Sequence, residues 1–370
     1  MKKKTVLMIF PDVHLPFSPT TLNLKNALST DFEVTLIAFQ PFSGPIVNDP
    51  DVKYFRKKAM LFRVFNTLLQ YILNIRTYNY RYAIWQKIHV TIYLLFKRYD
   101  HYVVVDLKSF WFIKKLKKNN IHLLSLELTS NTADYKKKID INQLCSIIIQ
   151  SKERFDYLTD GYFNGKVFYV QNAPIFNPGL QHLAPDEHKL IFTGSAIKEF
   201  GILQCLAFLD KYPYYQLHIQ GTVPGIEGKI ISESYQHLIS GNRLIISSEY
   251  LSAPELVRYL NQFRIGLCFY DFSIDGINNF NYKSAPSGKM FTYFAAGVPV
   301  IAIDIPGLKI IDEFKAGILI PNLNPVEIFN AIKKIESNYD LYSANCLKAA
   351  KHFDFYTASD RFISYLKTIS

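Results

Sequence analysis

Short apolar, β-branched runs alternate with helical patterns from one end of this chain to the other, and that alternation leaves few folds open. A buried strand, an amphipathic helix and a second buried strand are built together as a parallel sheet with helices on its faces. In the first half the strands are expected at 6–10, 34–39, 102–106, 123–126, 147–150 and 167–170. In the second half they fall at 190–193, 217–220, 244–247, 265–269, 298–303 and 318–320. No short repeat recurs, so the halves duplicate a layout and do not stack as a solenoid. A length of 370 residues accommodates two ordinary domains. Pro, Asn and Gly concentrate from Gln171-Asn172-Ala173-Pro174 through Pro185, which sets a boundary there.

One αβ unit carries a chemical signal. Ser287 is a good N-cap, positions 290, 291, 294 and 295 share a helical face, and Gly297 supplies a left-handed stop before the next strand. Inside the first turn stands Lys289, where a cation opposes the helix dipole at a cost of about 0.3 to 1 kcal/mol. An anion bound at the N-terminal amides reverses that cost, so the block reads as a phosphate site; an exposed surface lysine is the alternative.

The run Pro286, Ser287, Lys289, Phe291, Tyr293, Ala295-Ala296-Gly297, Pro299-Val300-Ile301-Ala302, closed by Pro306-Gly307, resembles the nucleotide-sugar half-site of GT-B glycosyltransferases. The likeness is to family-4-like enzymes, the glycosyl transferases of group 1. It implies an α/β architecture of two facing Rossmann-like domains. An acceptor domain would span 1–172 and a nucleotide-sugar domain 173–352. Residues 353–370, with a helix at about 356–369, would cross back onto the first domain. The segment Ile147 to Glu153 also resembles the family's strand-to-helix junction, and Asn172 its interdomain turn.

The resemblance assigns donor contacts residue by residue. Phe192-Thr193-Gly194-Ser195 is a strand running into a glycine turn, where the family cradles the donor pyrophosphate. The family's basic residue before the second glycine is here Phe200, and the nearest cation is Lys198, a phosphate ligand or a solvated lysine. Gly221 is a backbone turn beside the donor, and Tyr250 falls where relatives contact the base. Ser287, Gly288 and Lys289 complete the diphosphate site. The family's paired glutamates are replaced by Ser284 and Thr292, which weakens the ribose contact by about 1 kcal/mol and admits a non-catalytic member. The polar loop holding Asp271, Asp275, Asn278, Asn279 and Asn281 is a sugar contact or a plain surface loop.

In the first domain Asp12 and His14 follow the first strand and would face an interdomain cleft. Either residue positions an acceptor hydroxyl or serves as general base, the alternative for His14 being a structural role. Glu127, at the end of its strand, stands where relatives show His or Asp and is the third catalytic candidate. Asp49-Pro50-Asp51 matches a metal signature by spelling only and reads as a turn, so no metal and no cofactor beyond the donor sugar is implied.

Charge separates the halves. Residues 1–170 hold 25 Lys and Arg against 13 Asp and Glu, and the remainder 17 against 18. Residues 53–98 carry ten basic side chains, many aromatic ones and no acid, which points to an anionic partner for one domain. Within 59–76 the polar positions Arg63, Asn66, Thr67, Gln70 and Asn74 form one stripe and leave a wide apolar face, as for docking on an anionic bilayer. Helices that cover the sheet are the bland alternative, and the stretch has no nucleic-acid motif. The four cysteines, Cys145, Cys205, Cys268 and Cys346, are scattered, as in a reduced cytoplasmic protein. The run 5–10 is a strand, not a leader, and no apolar run spans a bilayer. The resulting expectation is a metal-independent hexosyltransferase of polysaccharide biosynthesis, cytoplasmic or peripheral at the inner face of the plasma membrane, acting on a saccharide or lipid-linked acceptor. A scaffold subunit and a nucleotide-sugar epimerase are the alternatives.

Overall fold

A computed structural model describes residues 3–40, 45–55, 59–71, 77–116, 118–128, 130–179, 185–274 and 279–369. Two compact units divide the chain, 1–171 with 356–370 and 172–355. In the first unit β1 (Thr5–Ile9), β2 (Glu33–Phe39), β3 (Val52–Phe55), β4 (His101–Val105), β5 (Ile121–Leu124), β6 (Ser146–Ile149) and β7 (Lys166–Tyr169) form one sheet. Their order is β3-β2-β1-β4-β5-β6-β7, and each neighbouring pair is parallel. In the second, β8 (Asp186–Thr193), β9 (Gln216–Gln220), β10 (Leu244–Ser247), β11 (Phe263–Cys268), β12 (Val300–Ile303) and β13 (Gly317–Ile320) are ordered β10-β9-β8-β11-β12-β13, again all parallel.

Both orders reverse beside the first strand of the unit, at β1/β4 and at β8/β11. Crossovers leave in opposite directions there, and the carboxyl ends of those strands open a crevice that suits a ligand. The central strands are sequestered on both faces, β4, β5, β6 and β12 along their whole lengths, which is why they read as continuous apolar runs.

Beyond shifted strand ends, two features differ from the sequence reading. Asp106 does not end β4 but opens the helix Asp106–Ile113 in a left-handed conformation, φ 55°. The strand β3 was not anticipated, because it is a short, half-exposed edge with Lys53 inside it. The last helix, Phe355–Thr368, packs within the first unit, where Phe362 lies edge-on to Phe168 at 5.4 Å and to His122 at 5.6 Å. Lys4 Nζ donates to the Ile369 carbonyl at 2.6 Å and ties this helix to β1. Asp49 and Asp51 both accept from the buried Lys25 ammonium, at 2.7 and 3.2 Å, so the turn before β3 holds an ion pair.

Candidate functional site

The second unit builds its site at the β8/β11 reversal. β8 ends at Thr193, and Gly194 turns the chain with φ 90° while its N–H donates to the Gln220 carbonyl at 2.9 Å. Gly221 takes the matching turn after β9. A Cβ there would lie 2.0 Å from the Gly194 carbonyl oxygen, so the two turns touch backbone to backbone. The Ala196 N–H donates to Thr222 O at 2.8 Å and the Thr222 hydroxyl to Ser195 Oγ at 3.3 Å, which fixes the loop that follows.

Against this loop stands the helix Gly288–Ala295. A Cβ on Gly194 would meet Lys289 Cε at 3.2 Å. The Lys289 ammonium lies 4.3 Å from the ring centre of Phe192 and 4.7 Å from that of Phe200. Among the described residues it makes no hydrogen bond and no ion pair. Burial pushes its pKa down to about 8, and the nearby Cys268 and Cys205 thiols counter this only in part. Those thiols are themselves pushed up by burial, Cys205 to about 12. Ring faces supply some electrostatic comfort, but a half-buried charge without an anionic partner remains costly. Ser287 precedes the helix without capping it, and its hydroxyl bonds the Cys268 thiol instead. Among the described residues the first-turn amides of Gly288 and Lys289 thus meet no acceptor beside the cation, an arrangement suited to a phosphate.

The remaining donor-side candidates are placed as follows. Thr292 Oγ donates to the Gly288 carbonyl at 2.9 Å and Ser284 Oγ to the Phe280 carbonyl at 2.7 Å, so both hydroxyls at the family's glutamate positions spend their protons on their own helices. Lys198 is exposed in the turn Lys198–Phe200, where its backbone N–H meets the buried Glu227 carboxylate at 3.2 Å. Tyr250 is exposed beyond β10, next to Glu249, whose carbonyl accepts from Gln220 Nε2 at 2.7 Å. Asp271 accepts from Gln204 and from Ser273, and Asn279 caps the helix Phe280–Ser284. Asp275 and Asn278 lie outside the described residues. Tyr293, part of the family-like run, is buried: its hydroxyl meets the Thr193 N–H and Oγ, each at 3.0 Å, and joins the helix to β8.

No family model matches the sequence, and a search of curated proteins finds no match. Solved structures do match. Sucrose-phosphate synthase from Thermosynechococcus elongatus is 16% identical, with a TM-score of 0.66 over 99% of this chain and 98% of its own. Anabaena HepE, solved with UDP and glucose, is 13% identical, with a TM-score of 0.67 over 99% and 100%. The α,α-trehalose 6-phosphate synthase from Burkholderia multivorans is 12% identical, with a TM-score of 0.62 over 100% and 99%. These neighbours are GT-B glycosyltransferases.

The chain has the GT-B fold.

In the first GT-B unit the strand-order reversal adds Asp106 to the Asp12 and Glu127 expected from the sequence. Asp12 follows β1, Asp106 follows β4 and Glu127 follows β5, on adjacent strands. Asp106 Oδ1 accepts from the N–H groups of Leu126 at 2.7 Å and Glu127 at 3.0 Å. The buried Arg154 donates to the Leu126 carbonyl at 2.8 Å and to Gln150 Oε1 at 2.8 Å, holding the same loop from its other side. Lys108, held below its ordinary value by burial, feels both Asp12 and Asp106. Asp12 and Glu127 are exposed. His14 is exposed too, and among the described residues its ring joins no hydrogen bond or ion pair.

Burial lifts the Asp106 carboxyl to about 7, with the Glu127 charge adding to the effect and the two backbone amides opposing it. Above pH 7 the folded chain bears the full cost of an enclosed carboxylate. Between about 7 and the ordinary 3.8 the folded form holds a proton that the unfolded form has released, so this group adds stability as pH falls. Asn at 106 keeps an acceptor oxygen and tolerates the left-handed backbone. Asp106→Asn is therefore expected to melt above the wild type at pH 8, with the gap closing by pH 5, as thermal scans at the two pH values will show.

Proposed function

We propose that this chain is a glycosyltransferase that moves a sugar from a nucleotide diphosphate sugar to a saccharide acceptor. The observation that carries this reading is the half-buried Lys289 ammonium, which has no anionic partner among the described residues and stands beside open helix amides and the Gly194 turn. A diphosphate supplies the missing charge. As the glycosidic bond to the donor breaks, negative charge grows on the leaving diphosphate, and a fixed cation with aimed amides stabilises it without a metal. Gly194, Ser195, Gly221, Ser287, Gly288, Lys289 and Thr292 would line the donor, Lys198 would reach it from the rim, and Tyr250 would flank the base. UDP is the first nucleotide to test, because HepE was solved with UDP and glucose.

The acceptor would be met by the first unit, with Asp12, His14 and Glu127 as candidates to orient or deprotonate its hydroxyl. The basic composition of 53–98 supports an acceptor carried on a membrane lipid, as in cell-surface polysaccharide assembly, handled at the inner face of the plasma membrane. Among the described residues no helix is long and apolar enough to cross a membrane.

A second reading has its own observation. The Ser284 and Thr292 hydroxyls donate to backbone carbonyls and offer a ribose only a neutral acceptor where the family has a carboxylate, a weaker contact that suits a binding subunit without transfer activity. One assay separates these readings: release of nucleoside diphosphate from UDP-, GDP- and ADP-sugars, with and without lipid-linked saccharide and with EDTA. Acceptor-dependent release that survives EDTA is the expected result. Nucleotide binding without release identifies the binding subunit.

A further inference from the structure

The helices Ala59–Tyr71 and Tyr78–Leu95 of the first unit pack on each other through aromatic rings. Phe62 and Phe65 lie 5.5 and 5.2 Å from Trp85, and Arg81 Nε donates to Asn66 Oδ1 at 2.6 Å. The opposite side of the second helix, Ala83, Gln86, Val90 and Leu94, is buried. The stripe that begins with Arg81 and Trp85 continues at heptad spacing through Ile88, Ile92 and Leu95, past the contacts made by the first helix. There it is open, with Ile92 53% and Leu95 67% exposed and Phe96 81% exposed just beyond the helix end. The first helix bears a similar stripe, Val64, Leu68 and Tyr71, also exposed. Of the polar stripe expected on this helix, Thr67 is exposed, whereas Asn66 turns to Arg81. Arg56, Lys57, Lys58, Asn74 and Arg76 lie outside the described residues, as does the side chain of Arg63.

We propose that these two exposed stripes insert into the interface of an anionic lipid bilayer, with Lys97 and Arg98 at the end of the second helix meeting lipid phosphates. The proposal deepens the lipid-linked acceptor reading and rests on it for its purpose, but not for its test. Aliphatic side chains at i, i+4 and i+7 with cations at the helix end are the make-up of an interfacial helix. Charge selects the occupant. The described cations at the open end of the second stripe, Lys97 and Arg98, are exposed, and the sequence from 53 to 98 contains no acid to meet them from a second copy of this segment, whereas anionic headgroups complement them. Nucleic acid shares the charge but gains nothing from branched aliphatic side chains, which offer no plane for base stacking.

The test is co-sedimentation of the full chain with vesicles of phosphatidylcholine alone and of phosphatidylcholine with phosphatidylglycerol, using wild type, Ile92→Glu/Leu95→Glu and Lys97→Glu/Arg98→Glu. These residues are exposed, so the variants keep the fold, which an unchanged melting temperature verifies. Binding to the anionic vesicles only, reduced at least tenfold by either pair, is the expected result. Equal binding by wild type and the Ile92/Leu95 variant overturns the proposal. A wild-type dimer in light scattering that the same pair dissolves also overturns it, giving the face to a second copy. Glycosyl transfer to a soluble acceptor by a chain that ignores vesicles would sink this surface and leave the transfer reading standing.

Discussion

Lys289→Met is expected to stabilise the ligand-free protein and to weaken its response to nucleoside diphosphates. A lysine held at about 8 in place of the ordinary 10.5 carries a penalty of roughly 3 kcal/mol at neutral pH, since each pH unit is worth about 1.4 kcal/mol. Methionine keeps the length of the stem against Phe192 and Phe200 and removes the charge, so the melting temperature should rise by roughly 5 °C or more. The pH dependence follows from the same shift. Below about 8 the ammonium is charged both folded and unfolded, and the penalty is full. Between about 8 and 10.5 the unfolded chain holds the proton and the folded chain does not, so wild-type stability gains from this group as pH rises. In Lys289→Met that gain is absent.

The same reasoning sets the ligand response. A diphosphate pairs with the charged form, raises the lysine's proton affinity and is bound most tightly below about pH 8. Loss of one charge-assisted contact in an enclosed site should weaken nucleotide binding roughly a hundredfold. Melting curves with UDP, GDP, ADP and CMP on both proteins read every part of this prediction. A variant that is less stable than wild type and still responds to a nucleotide would remove Lys289 from the site and favour a purely structural role.

The sheets were legible because parallel strands buried on both faces leave continuous apolar runs, and each of the twelve runs overlaps a strand. What stayed hidden depends on contacts distant in sequence. Lys289 stood out as a cation in the wrong turn of a helix, but its surroundings did not. Phe200 read only as a missing basic residue, whereas its ring lies under the ammonium and helps hold it without an acid. Cys205 and Cys268 read as reduced cysteines without a role, and their place beside Lys289 depends on how a helix and a strand from different parts of the unit meet it. Asp106 was hidden for a different reason. An aspartate after Val103-Val104-Val105 reads as the end of a strand, and only the left-handed backbone turns its carboxylate back onto the Leu126 and Glu127 amides.

The nested glycine turns make the second strong prediction. At Gly221 the backbone has φ 153°, and a Cβ would lie 2.0, 2.7 and 2.9 Å from the O, C and Cα atoms of Gly194. No side chain can swing away to make room, because the obstacle is the main chain of the neighbouring turn. That turn is in its own place because its N–H is bonded to Gln220 O, while the Gly221 N–H is bonded to Ser247 O at 2.8 Å. Gly221→Ala must therefore part β8 from β9 at their carboxyl ends or break these bonds, at a cost of about 3–5 kcal/mol. The melting temperature should fall by roughly 10 °C, and nucleotide response should be lost even where the variant is folded, since Gly194 would move from Lys289. Gly225→Ala is the matched control, because a Cβ there meets nothing within 4 Å at the start of the helix Gly225–Ser234. Alanine at that position should be neutral or stabilising by up to about 1 kcal/mol, with nucleotide response intact. Equal behaviour of the two variants would mean that loop stiffness, and not the contact between the turns, sets the site.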